Sequence, residues 1–358
     1  MRGEDSRHDP GAGEGRGNGK SMKQVLAQLV AGDDLSAEVM ERAVGLIMDG
    51  EATPAQVGAF LVALRLKGET RSELVAAARA MRARAVPLDV EGPLLDTCGT
   101  GGDGLGTFNV STATAFVAAA GGARVAKHGN RAASGKVGAA DVLEALGASI
   151  DVSPEVSARS LEEIGFAFLF APSYHPAVRH VAGPRRELGV RTLFNLTGPL
   201  CNPAHATHQL LGIYSGEWLH GVAEALAELG SERAMVVHGS DGSDEITTTG
   251  PTAVVELKGG HIEGYTIDPS ALGLATARID DLAGGSAEEN AATLKDILSG
   301  GEGALADITA LNAGAALYVA DKAEDIAGGL ALARRIMKSG DARDLVEKWV
   351  ALTRGAGE

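Results

Sequence analysis

Between the apolar pair Leu94-Leu95 and an alanine-rich stretch opened by Ser111-Thr112, five of the nine residues from Gly99 to Thr107 are glycine. Strand, glycine loop, helix: no other feature constrains the chain so tightly towards an α/β fold. Glycine lets backbone N–H groups approach an anion with no Cβ in the way. The helix N-terminus that follows adds free N–H groups and a positive dipole end, both suited to phosphate. By itself such a loop also reads as a turn ahead of a buried helix.

Charge favours the anion. The chain carries 47 acidic against 32 basic residues, a net charge of -15, yet no Asp or Glu occurs from Gly104 to Ala140. Arg124, Lys127, His128, Arg131 and Lys136 all fall in that window. A local positive field inside an acidic protein suits a polyanionic small molecule. The overall acidity argues against nucleic acid or an anionic membrane as partner.

A length of 358 residues suits one large domain plus a smaller one, with a core of Ala, Leu, Val and Gly, since hydrophobic residues make up 45% and aromatics 4%. No apolar stretch reaches the roughly 20 residues that span a bilayer. With no apolar signal core at the N-terminus, a cytoplasmic protein is expected. Two cysteines, Cys98 and Cys201, make neither a disulfide framework nor a zinc cluster.

Residues 1–20 read as a disordered extension. A small helical domain is expected over 21–90, joined by helices from 174–190, with helices near 22–31, 38–49, 54–67 and 71–85. Thr53-Pro54-Ala55-Gln56 and Thr70-Arg71-Ser72-Glu73 are capping boxes. From 91 to 358 strand and helix alternate, the pattern of a central, mostly parallel sheet. Expected strands are 94–98, 123–127, 166–170, 209–214 and 233–238, then a hairpin of 253–257 and 261–267 turning at Gly259-Gly260, with helices from Ala287 onward. Ser153-Pro154 caps the helix ahead of Phe166.

Chemistry-bearing residues recur outside the loop. Asp244-Glu245 lie in SDGSDEITT, directly after the 233–238 strand. Alone, paired acids on a loop read as a solvated turn; beside a phosphate loop they read as Mg²⁺ ligands. From Ile164 to Arg186 there is again no acid, while Arg179, Arg185 and Arg186 appear with His175 and His180. A guanidinium grips a carboxylate through two parallel bonds, although arginines on a helix also face solvent or pair across a domain junction.

The motifs GTGGD (Gly99–Asp103), NVST (Asn109–Thr112), KHGNR (Lys127–Arg131), HPAVRHVAGPRRELGVRTLFNLTGPLCNP (His175–Pro203) and Asp244-Glu245 come in one order. From about Met22 to the C-terminus the chain resembles the anthranilate phosphoribosyltransferase family of the nucleoside phosphorylase/phosphoribosyltransferase superfamily. The resemblance implies phosphoribosyl pyrophosphate and anthranilate as substrates, Mg²⁺ as metal and a homodimer through the small helical domains. It implies a donor site of Gly99, Gly102, Asp103, Thr107, Asn109, Val110, Ser111 and Thr112. That site continues through Lys127, His128, Gly129, Asn130, Arg131, Ala132, Ala133, Ser134, Gly135 and Ala139. Anthranilate would meet Gly99, Asn130 and Arg185; Ser111, Asp244 and Glu245 would hold the metal. No general base is assigned to His128 or His175, because an aromatic amine is already neutral at pH 7 and positioning suffices.

One departure stands out. Family members commonly carry a serine a few residues after KHGNR, where this chain reads Lys136-Val137-Gly138-Ala139; if the resemblance gives that serine a 5′-phosphate contact, Ala139 cannot make it, and a backbone amide or Ser134 must. Two other readings compete: a pyrimidine nucleoside phosphorylase, which would need neither Arg185 nor the Asp244-Glu245 pair in these roles, and a non-catalytic nucleic-acid binder, which the acidic charge disfavours.

Overall fold

The computed structural model describes residues 20–132 and 137–356; residues 1–19 of the expected 1–20 extension and the candidate residues Ala133, Ser134 and Gly135 lie outside them. Four helices come first: α1 Met22–Val30, α2 Ala37–Met48, α3 Pro54–Lys67 and α4 Arg71–Arg82. The capping boxes form as read, Thr53 with Gln56 and Thr70 with Glu73, and Pro54 occupies the first turn of α3. The last of these helices stops at Arg82, short of 85, where the Ala83 N–H closes back on the Arg79 carbonyl. Glu73 does more than cap. Fully buried, it also accepts from Leu35 N–H at 2.9 Å and pairs with Lys67 at 3.0 Å, tying α4 to the loop between α1 and α2.

Seven strands follow: β1 Leu95–Gly99, β2 Val125–Gly129, β3 Phe166–Phe170, β4 His208–Gly212, β5 Arg233–Gly239, β6 Thr252–Lys258 and β7 His261–Ile267. They form one sheet in the order β3-β2-β1-β4-β5-β6-β7, parallel through β5. The hairpin β6–β7 adds two antiparallel strands at the edge, as its turn glycines indicate. The second strand starts at Val125 rather than 123, since the chain leaves the preceding helix through Gly122 at φ +88. The fourth ends at Gly212 rather than 214.

Helix α5 (Val110–Ala120) carries the chain from β1 to β2, and α6 (Ala139–Ala145) with α7 (Pro154–Glu163) carries it on to β3. Then come α8 Ala171–Tyr174, α9 Arg179–Leu188, α10 Leu193–Thr197 and α11 Leu219–Glu228, and finally α12 Ala287–Ile297, α13 Ala304–Val319, α14 Ile326–Ser339 and α15 Asp341–Gly355. Strand alternation divides the core. Leu95, Val125, Leu210, Met235 and Val237 face a layer that includes Phe116, Leu311, Ile336 and Trp349. Cys98, Leu211, Ala234 and Val236 face the other way, into one apolar cluster with the N-terminal helices. Helix α9 packs on α3 and α2. Arg71–Glu224 at 2.7 Å and Arg79–Glu228 at 3.1 Å hold α4 along α11. The result is a small N-terminal helical domain set against a larger α/β domain. The chain passes from β1 to β2 on one side and returns to β4 on the other, a switch point where open α/β sheets bind ligands at their carboxyl ends.

Candidate active site

At that switch point Gly99 pairs with Gly212. Leaving β1, Thr100 donates its N–H to the Gly212 carbonyl at 2.9 Å, and its hydroxyl accepts from Tyr214 N–H at 3.1 Å. Gly101, Gly102, Gly104 and Gly106 then turn through positive φ with open space where side chains would stand. The loop is a backbone surface, as a phosphate cradle needs to be. Thr107 forms a bridge with Ala283, and Asn109 takes the N-cap position of α5. Val110 and Thr112 are buried, and the Thr112 hydroxyl has no protein partner among the described residues.

The paired acids stand over this loop. Asp244 accepts from Gly101 N–H at 2.6 Å, and Glu245 from Ser111 N–H at 3.1 Å. They thereby bracket the loop at its start and at the helix N-terminus that follows. Asp241 knots the segment that carries them, accepting from the Thr247 and Thr249 hydroxyls at 2.6 and 2.8 Å and from Ser243 N–H at 3.0 Å. Asn312 on α13 brackets Ile246, accepting its N–H at 3.0 Å and donating to its carbonyl at 2.8 Å.

Burial, reinforced by Asp103, pushes the Asp244 carboxyl up to about 7. Burial, reinforced by Asp244, raises Glu245 to about 8, with Lys127 opposing. Such mutual repulsion is what a divalent cation relieves. Among the described residues no three His, Cys, Asp or Glu side chains converge to enclose a metal. Two adjacent carboxylates suit Mg²⁺, which takes one or two carboxylates and leaves its other positions to water and substrate phosphate. The donor set therefore fits the metal.

Lys127, which the resemblance places in the donor site, is a buried side chain. It is 2% exposed and donates to the Thr97 carbonyl and, at 3.2 Å, to the Ser111 hydroxyl. Burial lowers its pKa, while the charge of Asp96 works the other way. Asp96, fully buried, is raised by burial to about 6, against the charge of Lys127 and hydrogen bonds from Asn202 at 2.8 Å and His128 N–H at 3.1 Å. The ammonium supports the Ser111 end of the site from behind.

His128 faces His175 with ring centroids 5.1 Å apart. Burial drives the His128 imidazole down to about 3, and His175, bonded through Nε2 to the Cys201 carbonyl at 2.9 Å, is also lowered by burial. Both rings are neutral at pH 7. Gly129 ends β2, with no room for a Cβ against Phe168, and Asn130 is exposed. Arg131 turns to α6, pairing with Asp141 at 2.9 Å and Glu144 at 2.7 Å, so its charge is already engaged. Ala132 is exposed, and Ala139 opens α6 behind Gly138.

Arg185 sits on α9, half-buried, its guanidinium 5.8 Å from the Phe194 ring centre. Burial lowers its pKa, and among the described residues no carboxylate lies in ion-pair contact with it. A guanidinium beside an aromatic face suits a ring that bears a carboxylate. Sequence reading missed Gly212, Thr100, Asp241 and Asn312. Thr100 lies within GTGGD and Asp241 within SDGSDEITT, and Gly212 closes an apolar strand, whereas Asn312 left no local signal.

Comparison with known proteins decides the family. Residues 91–343 match the model of the glycosyl transferase family a/b domain and residues 23–85 that of its helical bundle domain. An anthranilate phosphoribosyltransferase of Alkalilimnicola ehrlichii is 52% identical over 334 residues, covering 93% of this chain and 99% of that protein. The chain belongs to the anthranilate phosphoribosyltransferase family. The enzyme of that name from Brevibacillus brevis is 54% identical over 320 residues, covering 89% of this chain and 94% of its own. Among solved structures, the Thermus thermophilus anthranilate phosphoribosyltransferase aligns with a TM-score of 0.88 at 49% identity, covering 92% of this chain and 99% of that one. The Saccharomyces cerevisiae enzyme in complex with PRPP and Mg aligns at 0.86 and 28% identity, covering 93% and 98%. In this chain the glycine loop, the NVST helix start and the paired acids lie together at the carboxyl ends of the central strands β1 and β4.

Proposed function

We propose that the chain transfers the 5-phosphoribosyl group from phosphoribosyl pyrophosphate to the amine of anthranilate, giving N-(5-phosphoribosyl)anthranilate and pyrophosphate. The observation that carries this reading is the convergence of the glycine loop, the α5 N-terminus and the Asp244-Glu245 pair, linked through Gly101 and Ser111. Breaking the bond between ribose C1 and the pyrophosphate oxygen leaves positive charge on the sugar and negative charge on the departing group. Stabilising that leaving group is the main electrostatic task. The amides of Gly99, Gly102 and Asp103 cradle the pyrophosphate. Asn109, Ser111 and Thr112 serve its oxygens at the helix start. Ser111, Asp244 and Glu245 would hold Mg²⁺, which supplies charge neutralisation at the diphosphate.

Anthranilate enters with its carboxylate on Arg185 and its ring beside Phe194, near Asn130 and Gly99. The amine lone pair forms the new bond to C1 as the C1–oxygen bond breaks and pyrophosphate departs; the proton then shed by the cationic nitrogen passes to the departing pyrophosphate or to water. With His128 and His175 neutral, positioning accounts for the acceleration.

We place the enzyme in the cytoplasm, since its two free thiols, Cys98 and Cys201, suit a reducing compartment. No described helix is long and apolar enough to cross a membrane. We infer a homodimer through the helical domain, as the family resemblance implies. The direct test follows anthranilate fluorescence with phosphoribosyl pyrophosphate and Mg²⁺. Loss of the signal is expected, and folded protein without turnover would reject the assignment.

A further inference from the structure

The segment after β7 contributes more than a lead into the terminal helices. It braces the donor loop from behind: Phe108 N–H donates to the Leu282 carbonyl and Gly284 N–H to the Gly106 carbonyl, both at 2.9 Å. A Cβ on Gly284 would stand 3.0 Å from the Thr107 carbonyl oxygen and 3.1 Å from Asn290 Nδ2, so the two backbones meet with little room to spare. Asn290, on α12 and 3% exposed, fills the space behind the contact.

Its hydrogen bonds form a chain with only one consistent orientation. Gly285 N–H can only donate, and it meets the Asn290 side chain at 2.7 Å, so the atom facing it is Oδ1. Nδ2 of Asn290 then faces Asn109 at 2.9 Å, which requires Oδ1 of Asn109 on that side. The Asn109 NH₂ group is thereby turned the other way, where it donates to the Val137 carbonyl at 3.2 Å and keeps a second hydrogen. Amide orientation is set by such networks, and this one leaves no ambiguity. If the Asn109 amide were reversed, it would offer a carbonyl oxygen to an anion.

We propose that Asn290 is a positioning residue for the donor: it fixes the Asn109 amide so that the N–H left free by Val137 is presented to the diphosphate of phosphoribosyl pyrophosphate. This rests on the reading of Asn109 as a phosphate ligand. Gly285, Asn290 and Asn109 form a relay from the start of α12 to the start of α5. The substrate itself touches only the last member.

Asn290→Asp tests the relay. A carboxylate of the same shape still accepts from Gly285, but it demands a donor from Asn109 and so reverses that amide. The KM for phosphoribosyl pyrophosphate should rise about tenfold, as loss of one charge-assisted hydrogen bond implies. Both kcat and the anthranilate KM should change far less. Asn290→Ala removes the instruction without reversing it, so its donor KM should rise less, about threefold. In an Asn109→Ala background, Asn290→Asp should add no further loss.

A wild-type chain with no turnover would remove the activity and this inference with it. Normal wild-type turnover with an unchanged donor KM in Asn290→Asp would overturn the relay alone, as would a full additional loss in the Asn109→Ala background. Thermal melting accompanies each variant. If the Asp form is unfolded, Asn290→Ala decides the matter, and an unchanged donor KM there overturns the proposal.

Discussion

Gly212 and Asp244 are packed so closely that a Cβ on the glycine would lie 1.5 Å from the Asp244 carbonyl oxygen. Gly99, its partner on the neighbouring strand, leaves similar room: a Cβ there would lie 2.4 Å from the Asp244 carboxylate. Two bare backbones on adjacent strands thus form the floor on which the first carboxylate of the pair rests. Gly212→Ala must push the 241–247 segment outward. A displacement near 1 Å in positioning groups costs about 100-fold in rate, so kcat/KM should fall by about that factor with the fold intact. Steady-state kinetics beside a circular dichroism melt will check it.

Asp244 and Glu245 should govern metal response more than substrate affinity at saturating metal. Asp244→Asn and Glu245→Gln should each raise the Mg²⁺ concentration for half-maximal rate about 10- to 100-fold, the range for disturbed metal sites. Titrating the rate with Mg²⁺ at fixed, saturating substrates measures it. An unchanged midpoint would take that residue out of the metal site.

Arg185 separates the two substrates. Lysine keeps the charge but not the planar fork, so Arg185→Lys should raise the anthranilate KM about tenfold, and Arg185→Ala about 100-fold, following the strength of paired charge-assisted bonds. The donor KM should stay within about twofold, because the guanidinium lies on α9 rather than on the glycine loop. Initial rates with each substrate varied in turn distinguish this from a general loss of folding.

His128 contributes a definite pH dependence to stability. Its imidazole titrates near 6.5 when unfolded and is held down to about 3 by burial when folded. Between those values the unfolded chain binds the extra proton, so this contribution is complete above about 6.5 and is lost as pH falls towards 3. Its steepest slope is about 1.4 kcal/mol per pH unit. Asp96, raised to about 6, acts in the opposite sense, its contribution fading as pH rises through that value. The His128→Gln variant isolates the histidine: its stability, measured by urea unfolding from pH 4 to 8, should fall less steeply on the acid side than that of the wild type.

Much of the fold was legible because its causes are local. The boxes at Thr53–Gln56 and Thr70–Glu73, the exact limits of β3 and β7 and the hairpin turn at Gly259-Gly260 each depend on residues a few positions apart. The candidate site was partly legible for the same reason: a glycine loop before a helix start announces an anion, whatever surrounds it.

The alternation of strand and helix, the position of the glycine loop and the existence of an acidic pair follow from the order of residues along the chain. What those residues do to one another follows from folding. Asp244 reaches Gly101 across 143 positions, and Asn290 reaches Asn109 across 181. Lys127 is buried against the Thr97 carbonyl and the Ser111 hydroxyl, and Arg131 pairs with Asp141 and Glu144. Local propensity acts over a turn or two of chain. The charge, depth and orientation of a side chain depend on neighbours that the folded sheet brings from far along it.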